Sequence, residues 1–210
     1  MEPTEQNRRA WDAVHRPLER PSAGLPAVVG AALPELRGKH VLHLGCGTGE
    51  ASAELAALGA LVTGVDASAE AVAAARERAP AVAFVVGDPD GLPVEVRRGR
   101  FDLVYSAVGT QLEAWAAGIV SALRSGGELV VYDGHPVLEC LDDSLRWRED
   151  YFAAGRRRLG EVVTALVEAG LVLRVLEELP AESQLLPQTR RVPGVLVLRA
   201  SRLSDRSGTG

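Results

Sequence analysis

Three glycines fall within five residues, Gly45-Cys46-Gly47-Thr48-Gly49, between an apolar run and a helical pattern. Glycine lets the backbone turn sharply and approach a ligand with no side chain in the way. The helix that follows offers unpaired N–H groups to an electronegative atom. A second apolar run ends at Asp66, 21 residues after Gly45. A carboxylate there can accept from both hydroxyls of a ribose, each bond worth roughly 1.5–3 kcal/mol. Bend and acid together read as a grip on a nucleoside. A dinucleotide fingerprint needs G-x-G-x-x-G, whereas this loop reads G-x-G-x-G, with Glu50 where the third dinucleotide glycine would stand. The tighter spacing suits a ligand without a pyrophosphate and disfavours a nicotinamide-dependent oxidoreductase. The plainer alternative is a tight strand-to-helix turn with Asp66 as a helix-entry residue.

Such a grip needs strands that end together. Residues 41–44, 61–65, 82–86, 103–105 and 127–132 read as strands, and 171–176 and 195–198 as two more. Helical spacing falls over 51–58, over 112–123 (Leu112, Trp115, Ile119, Val120, Leu123) and from Leu159, with Gly170 as C-cap. Ser68 is placed as the N-cap of a helix that stops before Pro80. Alternating strands and helices imply an α/β fold with a mostly parallel sheet covered on both faces. The last two strands, separated by a turn region with several prolines, read as an antiparallel edge hairpin. Residues 4–16 and 22–32 read as two extra N-terminal helices. In such sheets the ligand lies beyond the carboxyl ends of the strands, at the topological switch point.

Composition narrows the partners. The 210 residues carry 23 Lys+Arg against 28 Asp+Glu, a formal charge of −5. That balance argues against nucleic acid or an anionic membrane, because phosphate binding needs a basic field. Hydrophobic residues make up 47% and charged residues 24%, as in a soluble domain able to bury a core without staples. Cys46 and Cys140 are too few for a disulfide framework or a four-cysteine zinc site, so no metal is expected and a cytoplasmic, reducing compartment fits. The polar N-terminus lacks a signal-peptide core. The expected organisation is one domain over residues 1–203, with a helical lid at 1–36 and a short cap at 136–158, then a disordered tail at 204–210. Oligomeric state is not readable.

The motifs in order are VLHLGCGTG (41–49), GVDAS (64–68), FVVGDPDGLP (84–93), FDLVYSAVG (101–109) and LRSGGELVVYDGHP (123–136). In this succession the chain resembles a class I S-adenosylmethionine-dependent methyltransferase. More narrowly, it resembles bacterial small-molecule methyltransferases with a His-Pro pair after the fifth strand. The resemblance implies a three-layer Rossmann-like sandwich with a seven-stranded sheet and S-adenosyl-L-methionine as cofactor. It implies Gly45, Cys46, Gly47 and Gly49 around the methionine part, Asp66 on the ribose and Ala67 beside the adenine. It places Asp88 on the adenine amine, with Gly87 and Pro89 shaping that turn, and Ser106 beneath the cofactor. Trp11, on the first helix, would pack over the cofactor as part of a lid, or simply be buried as that helix docks. Many class I enzymes carry an acid two residues before the first glycine; here it is His43, a residue more at home as a hydrogen-bonded core group. The segment between Pro136 and Leu159 is short, which implies an open acceptor site or one completed by a partner.

Methyl transfer is an in-line displacement on an already activated carbon. Alignment alone can supply roughly 7–11 kcal/mol, and a general base adds about 10²–10⁴-fold where the nucleophile must lose a proton. His135 is the candidate, because an unperturbed imidazole titrates near neutrality; Asp133 could orient it. Its role stays open between base, acceptor positioning and turn structure. Tyr105 is a further candidate beside Ser106. Arg156-Arg157-Arg158, just before a helix, read as a solvated run or as binders of an acidic acceptor. The expected function is methylation of a small organic molecule of the secondary-metabolite kind; the alternative is a catalytically silent cofactor-binding scaffold or partner-dependent subunit.

Overall fold

The structure, a computed structural model, describes residues 24–142, 146–180 and 192–204. The short apolar runs pair side by side, and the helical patterns supply the crossovers that parallel strands need. The strands are β1 (His40–Leu44), β2 (Leu61–Asp66), β3 (Ala83–Val86), β4 (Phe101–Ser106), β5 (Leu123–Gly134), β6 (Leu171–Pro180) and β7 (Pro193–Arg202). They form one seven-stranded sheet in the order β3-β2-β1-β4-β5-β7-β6. β1 pairs in parallel with β2 and β4, while β7 runs antiparallel to both β5 and β6. The expected hairpin is present, with β7 on the inside and β6 on the edge. β6 exposes Glu177 and Glu178, charges that discourage another strand from pairing there.

The helices are α1 (Ala27–Ala32), α2 (Glu50–Ala57), α3 (Ala69–Arg78), α4 (Leu112–Ala122) and α5 (Leu159–Glu168). Successive strand residues point to opposite faces, and β1 shows the result. Val41 joins Val29 of α1, Leu55 of α2 and Val72 of α3 in one apolar cluster. Leu42 and Leu44 join Trp115 and Ile119 of α4 and Leu166 of α5 in the other. The sheet is therefore the middle of three layers.

Local signals explain the ends. Ser68 Oγ accepts from Ala71 N at 3.2 Å and caps α3. Gly170, at φ 95°, turns the chain out of α5, a conformation that costs other residues a Cβ clash. β5 begins four residues earlier than the apolar pattern, at Leu123, because Leu123 already pairs with Phe101 before the register shifts. Expectations for residues 4–16, for Trp11 and for most of the tail lie outside the described residues. Of residues 22–32, Ala27–Ala32 form α1.

Candidate functional site

The strand order turns back between β1 and β4, so the crevice at their carboxyl ends is the switch point. The glycine bend lies there. Gly45 N and Cys46 N donate to Val65 O at 2.8 and 3.1 Å, and Gly49 N donates to Cys46 O at 3.0 Å. Gly45, Gly47 and Gly49 hold φ of 69°, 52° and 87°. A Cβ on Gly45 or Gly47 would meet no heavy atom within 4 Å, whereas one on Gly49 would meet Ala75 Cβ at 2.9 Å and Phe84 at 3.2 Å. The first two glycines thus open onto space, and the third packs the bend against α3. Asp66 Oδ2 accepts from Gly47 N at 2.7 Å, and Oδ1 accepts from Ser68 N at 2.9 Å. A carboxylate offers about four lone-pair positions, so the two bonds orient Asp66 without exhausting it. Glu50 lies at the start of α2, bound by Thr48 Oγ1 at 2.7 Å and by Arg78 at 2.8 Å. A pyrophosphate on that helix end would face this carboxylate. A bend open above Gly45 and Gly47, with Asp66 beside it, fits the nucleoside and amino-acid parts of S-adenosylmethionine.

The neighbouring side chains sort by strand parity. His43 is buried, its Nδ1 2.8 Å from Ser52 Oγ on α2, and its ring centroid 4.9 Å from that of Tyr105. Burial pushes its pKa down to about 4, so it is neutral and ties β1 to α2. The Cys46 thiol is buried, with a pKa pushed up to about 12 by burial and by the charge of Asp66. It lies where a Cβ on Gly64 would come within 2.9 Å of its sulfur, so Cys46 faces the bend with its backbone and the core with its sulfur. Tyr105 is buried, and burial foremost, then the charges of Tyr132, Asp133 and Glu54, raise its pKa; the phenol keeps its proton. Ser106 faces the opposite layer, where its Oγ accepts from Trp115 Nε1 at 3.1 Å.

The loop after β3 joins the same edge, since Gly87 N donates to Asp66 O at 2.9 Å. A Cβ on Gly87 would meet Pro93 Cγ at 2.4 Å, so only glycine fits that turn. Ala67, Asp88 and Pro89 are half-buried along it. Asp90, not singled out by the sequence, is buried beside them.

Beyond β5 the arrangement differs from the expectation. His135 is buried, its Nδ1 accepts from Val137 N at 3.1 Å, and its Nε2 lies 2.8 Å from Glu178 Oε1 of β6. The backbone N of His135 donates to Gly194 O of β7. His135 therefore caps the 3-10 turn Pro136–Cys140 on the β6–β7 side. Asp133 turns the other way, accepting from Val108 N at 3.0 Å, so the expected hand-off from Asp133 to His135 gives way to two separate tasks. The arginine run is ion-paired, with Arg156 and Arg157 largely covered and Arg158 41% exposed at the rim of a groove. Arg156 donates to Glu139 O at 3.1 Å and pairs with Glu149. Arg157 donates to Val108 O at 3.1 Å and Gly109 O at 3.3 Å, with Glu139 3.5 Å away. Arg158 pairs with Glu161, and Tyr151 Oη accepts from Leu159 N at 3.0 Å. Of these, the Arg157 contacts tie residues 146–158 to the loop after β4. A groove of about 590 Å³ between α4 and α5, lined by Leu112, Tyr151, Phe152 and Glu161 among others, includes none of the glycine-bend residues.

Residues 41–127 match the family model described as a methyltransferase domain. The chain is 36% identical over 104 residues to an uncharacterized methyltransferase of Synechocystis sp., covering 47% of this chain and 48% of that protein. It is 40% identical over 104 residues to a demethylmenaquinone methyltransferase of Beutenbergia cavernae, covering 48% and 42%. The chain thus matches less than half the length of these curated relatives. An S-adenosylmethionine-dependent methyltransferase structure from Mesorhizobium loti superposes with a TM-score of 0.70 at 25% identity, over 84% of this chain and 96% of that one. The fold is that of the class I S-adenosylmethionine-dependent methyltransferases. The family match runs from β1 into β5 and ends before residues 136–158.

Proposed function

We propose that this protein is an S-adenosylmethionine-dependent methyltransferase acting on a small organic molecule of the secondary-metabolite kind. The observation that carries this reading is the 2.7 Å bond from Gly47 N to Asp66 at the switch point. In this reading Gly45, Gly47, Gly49 and the Cys46 backbone line the methionine part, Asp66 holds the ribose and Ala67 borders the adenine. Asp88 accepts from the adenine amine on the turn shaped by Gly87 and Pro89. Ser106 supports the floor through its bond to Trp115. The cofactor supplies a methyl group already activated on a sulfonium, so these residues need only hold it and align an acceptor.

Of the catalytic candidates, Asp133 borders the loop after β4 with a quarter of its side chain exposed, and it is the one we place toward the acceptor. Tyr105 stays protonated, and the Nδ1 lone pair of His135 is engaged by the Val137 amide. The test is calorimetric binding of S-adenosylhomocysteine, followed by turnover of S-adenosylmethionine with phenols, amines and carboxylic acids. Binding and a methylated product are expected. Stabilisation by NAD and none by S-adenosylhomocysteine would overturn the cofactor assignment; binding without product across the panel would favour the scaffold.

A further inference from the structure

We infer that Asp90 is the positioning residue for adenine recognition, an inference that rests on the reading of Asp88 as the acceptor for the adenine amine. Asp88 stands on an Asp-Pro-Asp-Gly turn, a sequence that by itself favours turns of several geometries. The structure ties this turn to the helix layer through Asp90. Asp90 is 8% exposed. Its Oδ2 accepts from Thr110 N and Gln111 N, both at 3.1 Å, and from Thr110 Oγ1. These donors lead into the amino end of α4, where a negative charge is favoured.

The far side of the contact is rigid. A Cβ on Gly109 would meet Asp90 Oδ1 at 2.3 Å and Trp115 Cβ at 2.5 Å, so the loop backbone presses on the carboxylate. Trp115 is fully buried and is held by Ser106. Leu92, two residues past Asp90, is buried and would lie 3.2 Å from a Cβ on Gly118 of α4. With its carboxylate fixed in this way, Asp90 has its backbone N–H fixed as well, and that N–H donates to Asp88 Oδ1 at 2.9 Å. Gly91 N closes the turn on Asp88 O at 3.1 Å. The path therefore runs from the start of α4 to the Asp90 carboxylate, then to the Asp90 amide, and then to the Asp88 carboxylate. Asp90 acts on the adenine through Asp88.

The readout is base discrimination. S-adenosylhomocysteine carries the exocyclic amine, and S-inosylhomocysteine carries a carbonyl in its place. The intact protein should bind the first at least roughly tenfold more tightly, the worth of one charge-assisted hydrogen bond, and Asp88→Ala should abolish that preference. Asp90→Ala should also bring the ratio to within about threefold of unity while both ligands still bind. A change confined to folding would weaken both ligands alike and leave the ratio intact, and that result would overturn the inference. Asp90→Asn keeps the side-chain volume and carries the test if the alanine variant does not fold. It should lower the ratio several-fold, and an unchanged ratio again overturns the inference. If the intact protein shows no preference, or Asp88→Ala keeps it, the Asp88 reading itself fails, and the role of Asp90 with it.

Discussion

The carboxylate of Asp66 and the amide of Gly47 are a hydrogen-bonded pair at 2.7 Å, so the acid at the end of β2 and the bend after β1 form one unit. Asp66→Ala removes an orienting bond of the bend together with the proposed ribose acceptor. Two charge-assisted bonds at roughly 1.5–3 kcal/mol each predict a loss of at least about 100-fold in S-adenosylhomocysteine affinity by calorimetry. Loss of less than tenfold would separate Asp66 from the ribose.

The glycines predict a contrast. Gly47→Ala places a Cβ in the open space above the bend at positive φ. It should cost about 1–2 kcal/mol of stability and weaken cofactor binding strongly. Gly49→Ala adds a collision with Ala75 Cβ at 2.9 Å, so its melting temperature should fall further than that of Gly47→Ala. The reverse order in a thermal scan would mean that the bend is packed differently.

His135 separates structure from chemistry. Its Nδ1 accepts the Val137 amide, a bond that asparagine can also make because its side chain reaches the backbone two residues on. His135→Asn should keep cofactor affinity and lower turnover less than tenfold, while His135→Ala should lose about 1 kcal/mol of stability along with the cap. A drop in turnover of about 10²-fold or more in the folded asparagine variant would identify a base.

Arg157 should matter for the cap. It donates to Val108 and Gly109, the loop whose Val108 N–H is held by Asp133. Arg157→Ala removes both donors and leaves Glu139 and Asp133 without that cation. Partial exposure limits the stability loss to about 1–2 kcal/mol, but limited proteolysis should cut residues 146–158 faster. An unchanged cleavage rate would show that the cap is held elsewhere.

The sheet was legible because its apolar runs are short, separated by helical spacing and closed by Ser68 and Gly170. The bend and Asp66 were legible because glycine spacing and one acid report backbone needs directly. Asp90 was not, since an acid buried by donors from Thr110 and Gln111 reads in sequence like any turn aspartate. The pairing of the arginine run was not legible, because the carbonyls of Val108 and Gly109 that Arg157 meets come from a distant segment. His135 was legible only as three alternatives, base, acceptor positioning or turn structure, because which neighbour its nitrogens meet depends on β6 and β7, far along the chain.

His43 predicts a pH dependence whose sign is set by burial. Its folded pKa is about 4 against 6.5 for the free side chain. Between those values the unfolded chain binds a proton that the native protein excludes, so stability rises with pH across that window. Above pH 6.5 neither state carries the proton, and this contribution is level. Falling from about pH 6.5 to 4, the native state should lose up to about 3 kcal/mol on this account. Asp102, whose carboxylate bonds to Arg124 and whose pKa is lowered, adds a loss of the same sign only at lower pH. The comparison that isolates the histidine is therefore between the intact protein and His43→Asn, which keeps a polar partner for Ser52. Denaturant unfolding at pH 7, 6, 5 and 4.5 should show a shallower decline for the variant. Parallel curves would mean that His43 takes its proton in the native state.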